Sequence, residues 1–210
     1  MGRIQRFNIE DIQKGLCSLL REYGFGNFSM QLVASELNIP IGSLYHRYQS
    51  KDDMVADLWL SVIESFQNEF FKVLISNLEA IDAGKEAAIF VSRWMECEPE
   101  YAYLLAFVRK GDLNHKDWDL PYKKREKKIQ ITLRRNWKIW SESLSLGKIS
   151  DEETFVFQSV IVDIPISVCK PYIGKKFPLF LQSFIADTYD LHLNKVIERK
   201  NGKKRFLRHQ

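Results

Sequence analysis

Apolar residues in this chain recur at steps of three and four. Ile9, Ile12, Leu16, Leu19 and Leu20 line one face of a first helix, which Gly24 stops after Tyr23. Ser29 is placed to cap a second, short helix containing Leu32, Val33 and Leu37. A third short helix follows Pro40. Ser50 then caps a long fourth helix with Asp52 and Asp53 in its first turn, where acidic side chains complement the helix dipole. Its apolar positions, Met54, Val55, Leu58, Trp59, Val62, Phe66, Phe70, Val73 and Leu74, carry it to about Leu78. Further helices are predicted over about 85–97, 99–110, 121–146, 151–173 and 178–200. Their punctuation is Gly84, Glu98-Pro99, Gly111, Gly147 with Ser150, and Gly174 with Pro178. Strand alternation, internal repeats and Gly/Ser linkers are lacking. The pattern predicts an all-α protein: an N-terminal three-helix unit over residues 1–50, a larger helical bundle over 51–200, and a basic, flexible tail over 201–210.

Composition narrows the picture. Of the 210 residues, 45% are hydrophobic and 13% aromatic, enough for a sizeable core and against disorder. The net charge is only +4, but it is unevenly spread. Residues 121–138 hold eight Lys/Arg against one Glu, and residues 195–210 hold seven against one, so the remainder is acidic. The first of these runs, YKKREKKIQITLRRNWK, reads as a solvated helix face or a second nucleic-acid surface. Cys17, Cys97 and Cys169 are an odd, widely spaced set that argues against a disulfide framework or a zinc site. The N-terminus has no signal-type apolar run, and no stretch of about 18 apolar residues suggests a membrane span, so the expectation is a cytoplasmic protein that does not enter membranes. Four histidines lack metal-ligand spacing, and there is no P-loop, GxGxxG or nucleophile elbow. The chain is therefore expected to be no enzyme and to need no cofactor or metal.

The candidate chemistry lies in SMQLVASELNIPIGSLYHRY, Ser29 to Tyr48. Two helices crossing steeply need a small residue at their contact, and Ala34 supplies one. Four positions later the chain must turn with positive φ, which Asn38 tolerates best among residues other than glycine. Pro40 disfavours the α region for Ile39 and presets φ for a helix start. With Leu44 and Tyr48 pointing inward one turn apart, Ile41, Ser43, Tyr45, His46 and Arg47 are left outside. That surface is polar, aromatic and cationic, and it suits phosphates and base edges in a major groove. The bland alternative is a solvated third helix in a helical interaction protein or adaptor.

The segment LLREYGFGNFSMQLVASELNIPIGSLYHRYQSKDDM resembles the DNA-binding domain of the TetR family of bacterial transcriptional regulators. Gly24-Phe25, Ser29, Val33-Ala34, Gly42-Ser43-Leu44-Tyr45-His46 and Ser50-Lys51-Asp52 fall in that family's register, over residues 9–60. The resemblance implies that Ser29 caps the second helix and touches phosphate. Ile41, Gly42, Ser43 and His46 would lie nearest the bases, with Tyr45, Arg47 and Lys51 on phosphates. Departures are Asn38 for the usual Gly, Pro40 for the usual Ser or Thr cap, and Ile41 where many relatives are polar. Ile41 can still pack on a thymine methyl group.

The resemblance also implies a ligand-responsive regulator, most readily a repressor, that binds a pseudo-palindromic double-stranded DNA operator, with residues 51–200 serving ligand binding and dimerisation. The residues support the dimer. Phe155, Val156, Phe157, Val160, Ile161 and Ile164 make one late helix apolar on more than one face, as Phe180, Leu181, Phe184, Ile185, Tyr189 and Leu193 do the other. A two-fold homodimer would cover the surplus in a four-helix bundle. Phe66, Phe70, Trp94, Tyr103, Phe107, Trp137, Trp140 and Phe157 would line an apolar pocket if they converge, for an unidentified, hydrophobic small-molecule effector. Aromatics at helical spacing are also ordinary core, and the pocket rests mainly on the resemblance.

Overall fold

The structure, a computed structural model, describes residues 9–113 and 115–206. It is all-α. The helices are α1 (Ile9–Asn27), α2 (Met30–Glu36), α3 (Ile41–Arg47), α4 (Lys51–Leu74), α5 (Ala80–Cys97), α6 (Pro99–Phe107) and α7 (Leu120–Ser143). They are followed by α8 (Asp151–Tyr172) and α9 (Phe180–Phe206). Two single 3-10 turns, Lys110–Asp112 and His115–Asp117, join α6 to α7. The chain divides into two compact units. One takes the chain up to Glu64 together with Glu100–Lys128; the other takes Ser65–Pro99 and the chain from Ile129 onward.

In the first unit the backbone turns where local chemistry dictates. Gly24 leaves the helical region within α1, at φ 69° and ψ 167°. The Ser29 hydroxyl accepts the Leu32 amide at 3.1 Å and caps α2. Asn38 takes positive φ, 51°. The Ile39 amide reaches back to the Ala34 carbonyl at 2.9 Å and the Asn38 amide to Ser35 at 3.3 Å. Together these bonds make a Schellman closure, with Ile39 buried as its apolar contact. Pro40 stands at the N-cap of α3, one position before the expected first turn, and no side chain caps that end. Ser50 caps α4 through the Asp53 amide at 3.1 Å. Leu16, Phe28, Val33, Leu44, Tyr48, Met54 and Leu58 form the buried interior.

In the second unit α5 is central and packs against α8 and α9. Its buried face is built from small residues, Ala83, Gly84, Ala87, Ala88 and Ser92, with Val91, Trp94 and Met95. Gly84, read from the sequence as punctuation, lies inside α5. A Cβ there would stand 2.3 Å from the Tyr189 hydroxyl and 2.8 Å from the Trp140 ring, so glycine is required for close approach and not for a turn. The Trp140 indole donates to the Ala80 carbonyl at 2.8 Å, and the Tyr189 hydroxyl donates to Ile81 at 2.9 Å. These bonds tie the first turn of α5 to α7 and α9, and the helix begins at Ala80, five residues before the expected start at 85.

Between α7 and α8 the turn uses Ser145 at φ 54° and Gly147 at φ 76°. A capping box then opens α8: Ser150 accepts the Glu153 amide at 3.2 Å, and Glu153 accepts the Ser150 amide at 2.8 Å. Within α8 the turn Ser159–Asp163 widens to a π-helix just before Pro165, whose missing amide cannot continue the ordinary ladder. By length and composition α8 is apolar enough to cross a membrane, with a mean hydropathy of 1.2 over its most apolar window. A single helix of this kind does not by itself indicate a membrane span. The apolarity of α8 is split between a buried face and an exposed one. Helix α9 runs on to Phe206, past the expected end at 200, and residues 207–210 of the basic tail lie outside the described residues.

Candidate functional site

Helix α3 buries only Leu44, and Tyr48 after it is buried as well. Ile41 is 41% exposed and Tyr45 49%, and Gly42, Ser43, His46 and Arg47 are exposed beside them. The spacing of Leu44 and Tyr48 in the core leaves the other positions outside, as helical geometry requires. Ser29 is half-buried and occupied by its capping bond, and Lys51, half-buried, opens α4 next to the capping Ser50. Space is open where a Cβ would stand on Gly42.

Arg47 is held by its surroundings. Its Nε donates to the Tyr48 hydroxyl at 2.9 Å, and its Nη2 lies 3.8 Å from Asp57. The Tyr48 hydroxyl donates to Asp57 at 3.0 Å. Burial, reinforced by the Asp57 carboxylate, pushes that hydroxyl up to about 12, so it stays protonated and remains a donor. Asp57 also accepts from Arg125 of α7 at 2.7 Å. Arg125 spans Glu64 through two bonds, at 3.0 and 2.6 Å, and donates to Ser61 at 3.0 Å. Sequence reasoning missed this network. Its one signal was the i, i+4, i+7 stripe of Asp57, Ser61 and Glu64, a polar line along one side of α4.

The basic run of α7 is therefore not one uniform surface. Arg125 is engaged in ion pairs, and Lys123 donates to the Lys116 carbonyl at 2.8 Å. Lys124, Lys127 and Lys128 are exposed. The buried Glu126 lies 2.5 Å from Lys110 Nζ and 2.6 Å from His115 Nε2. Burial works against its charge, but these two partners hold its carboxyl below the ordinary range.

The eight aromatic residues expected around a pocket fall into two groups. Six form a continuous series in the second unit. Phe66 stacks on Phe70 at 5.4 Å and meets Trp94 edge-on at 5.1 Å; Phe70 lies 6.2 Å from Trp137. Trp137 meets Trp140 at 5.6 Å, and Trp140 meets Phe157 at 5.3 Å. Tyr103 and Phe107 pack on each other at 5.1 Å within the first unit. Of the eight, Trp137, Trp140 and Phe157 line a cavity of about 850 Å³ between the end of α7 and the start of α8. The buried Trp94 indole N–H has no acceptor among the described residues.

Among the described residues no group of three or more His, Cys, Asp or Glu could hold a metal ion. Burial, with Glu100 adding to it, pushes the Cys17 thiol far above its ordinary value, which removes it as a nucleophile.

Comparison with known proteins finds likenesses in sequence for the N-terminal part and in fold for the whole chain. Residues 13–58 match the family model of the bacterial regulatory proteins, tetR family. The sequence matches no curated protein. The fold is similar to that of a bacterial regulatory protein in the tetR family from Rhodococcus RHA1, with a TM-score of 0.62 at 12% identity over 89% of this chain and 95% of that one. It is similar to the TetR family transcriptional regulator PfmR from Thermus thermophilus, with a TM-score of 0.57 at 16% identity over 89% and 96% of the two chains. It is also similar to a transcriptional regulator of the TetR/AcrR family from Thermobifida fusca, with a TM-score of 0.53 at 16% identity over 88% and 96%. Residues 13–58 thus match the tetR-family N-terminal domain, and the whole chain shares its all-helical fold with solved structures of TetR/AcrR-family regulators.

Proposed function

We propose that this protein is a cytoplasmic, homodimeric transcriptional repressor that leaves a pseudo-palindromic operator when a small hydrophobic effector binds. The observation that carries the reading is the surface of α3, which exposes Ile41, Gly42, Ser43, Tyr45, His46 and Arg47 and anchors itself through Leu44 and Tyr48. Residues 1–50 act as the DNA-reading part. Ile41, Gly42, Ser43 and His46 face base edges, and Ser29, Tyr45, Arg47 and Lys51 hold phosphates. Residues 51–200 bind the effector and the second protomer.

Support for the dimer comes from Phe155, Phe180, Phe184 and Leu191, all exposed on α8 and α9. Support for an effector comes from the aromatic series Phe66–Phe157 and from the Trp94 N–H, a buried donor that a ligand acceptor would satisfy. The Tyr48–Asp57–Arg125 network supports a route from effector to DNA, because Arg125 lies on α7 and ends beside the side chain that holds Arg47.

One observation favours the alternative, a helical adaptor whose third helix reads nothing: the Arg47 guanidinium is already engaged by Tyr48 and Asp57. A gel shift with DNA upstream of the protein's own gene separates the two. Specific, salt-sensitive retardation supports the regulator, and uniform weak binding to every fragment supports the adaptor. The effector must then lower operator affinity by the factor by which DNA lowers effector affinity. A compound that binds tightly and leaves operator affinity untouched is not the effector.

A further inference from the structure

The cavity at the α7–α8 turn is apolar on its floor and cationic at its edge. Trp140 and Phe157 are almost fully buried there, and Trp137 is half-buried. A flat ring laid on them gains apolar burial and edge or face contacts. The charged lining is Arg134, Lys138 and Lys148 against a single carboxylate, Glu142. That carboxylate is matched by Lys138, 3.8 Å away one helical turn earlier. Arg134 makes no ion pair or hydrogen bond among the described residues, and neither does the Lys148 ammonium.

The acids that open α8 do not supply the missing charge. Glu152 is paired with Arg199 at 3.0 Å and Glu153 with Lys200 at 2.9 Å. Lys200 also donates to the Lys148 carbonyl at 2.6 Å, which fixes the backbone of the turn at this edge. Ser145 and Gly147, both at positive φ, complete the wall. A shaped turn thus presents two unmatched cations beside an aromatic floor.

We propose that this cavity takes a small aromatic or amphipathic anion, its ring on Trp137, Trp140 and Phe157 and its carboxylate or sulfonate between Arg134 and Lys148. The proposal rests on the effector reading above and specifies the chemical class. An uncharged or cationic ligand leaves both cations unmatched, so the site discriminates by charge. Because the cations are solvent-exposed, that discrimination falls as salt screens it.

The test titrates the full-length protein with 2-naphthoate and with 2-naphthamide, which keeps the ring and removes the charge, by calorimetry at low and at moderate salt. Naphthoate is expected to bind about tenfold tighter at low salt, the advantage shrinking as salt rises. The double variant Arg134→Gln/Lys148→Gln should lose most of that advantage with its amide affinity and melting temperature unchanged, because both side chains lie outside the core. Trp137→Ala should weaken both probes. Equal binding of acid and amide by the wild type overturns the proposal, as does a double variant that keeps the preference, or no binding of either probe. A parallel gel shift without any probe keeps the two readings apart. Loss of DNA binding there would sink the regulator and leave a naphthoate preference standing.

Discussion

Gly42 is a glycine that the protein's own packing does not demand. Open space surrounds the point where a Cβ would sit, and the residue lies within α3. Gly42→Ala should therefore keep or raise stability, by up to about 1 kcal/mol from helix propensity. If DNA approaches the α3 backbone there, the same methyl group must weaken operator binding. Melting temperature and operator affinity measured together decide it, and unchanged affinity would remove Gly42 from the interface. The charged neighbours separate by a different measurement. Arg47→Ala and Lys51→Ala should each weaken all DNA alike and flatten the plot of log affinity against log salt by about one unit per subunit. Ile41→Ala should leave that slope alone and lose about 1–3 kcal/mol of discrimination at one base pair of each half-site. His46 can meet a base or a phosphate, and the same two readings place it. Normal affinity and slope in both cation variants would mean that α3 is a solvated face.

Helices set the next constraints through what they let approach. Because a methyl group on Gly84 would collide with Tyr189 and Trp140, Gly84→Ala should cost about 1–3 kcal/mol, against the usual gain of alanine in a helix. A chemical-denaturation midpoint that does not fall would contradict the close packing of α5. In the other unit, Glu126 joins the start of α7 to the 3-10 turns before it. Its carboxyl is held below the ordinary range, so its contribution is present above the unfolded value of about 4.3 and is lost as pH falls through the folded one. Glu126→Gln should cost about 1–3 kcal/mol at neutral pH. The variant's urea midpoint should converge on that of the wild type as the pH is lowered below the ordinary carboxylate value of about 4.3; parallel curves would show that Glu126 is not the group responsible.

For the whole molecule the outstanding surface is apolar. Phe155 is 69% exposed and Phe180 61%, while Phe157, Ile161, Ile185 and Tyr189 on the same two helices are buried. Only 28% of the most apolar window of α8 is buried within its own chain, a surplus that an intermolecular four-helix bundle would cover. At micromolar concentration, sedimentation should show a species of about twice 24.7 kDa, and Phe184→Asp with Leu191→Asp should reduce it to the single chain. A wild-type protein that sediments only as one chain would exclude the arrangement. The doubly substituted monomer should also lose operator affinity, since one α3 alone makes a small interface.

Several features of this protein are decided within a few residues and were therefore legible in the chain itself. The caps at Ser29 and Ser50, the positive φ at Asn38, the break at Gly24 and the outward set on α3 depend on local hydrogen bonds and helical period alone. The surplus apolar faces of α8 and α9 follow from the same period. Other features depend on which distant residues meet. Sequence spacing treats Gly84 as a stop, and only the arrival of Tyr189, far along the chain, makes it a contact. Arg125 looks like its basic neighbours until Asp57 and Glu64 are beside it. Eight aromatics at helical spacing look like one group, yet packing assigns Tyr103 and Phe107 to one compact unit and the other six to the second. Periodicity tells which face of a helix is buried; only the packing of helices distant in sequence tells what it is buried against.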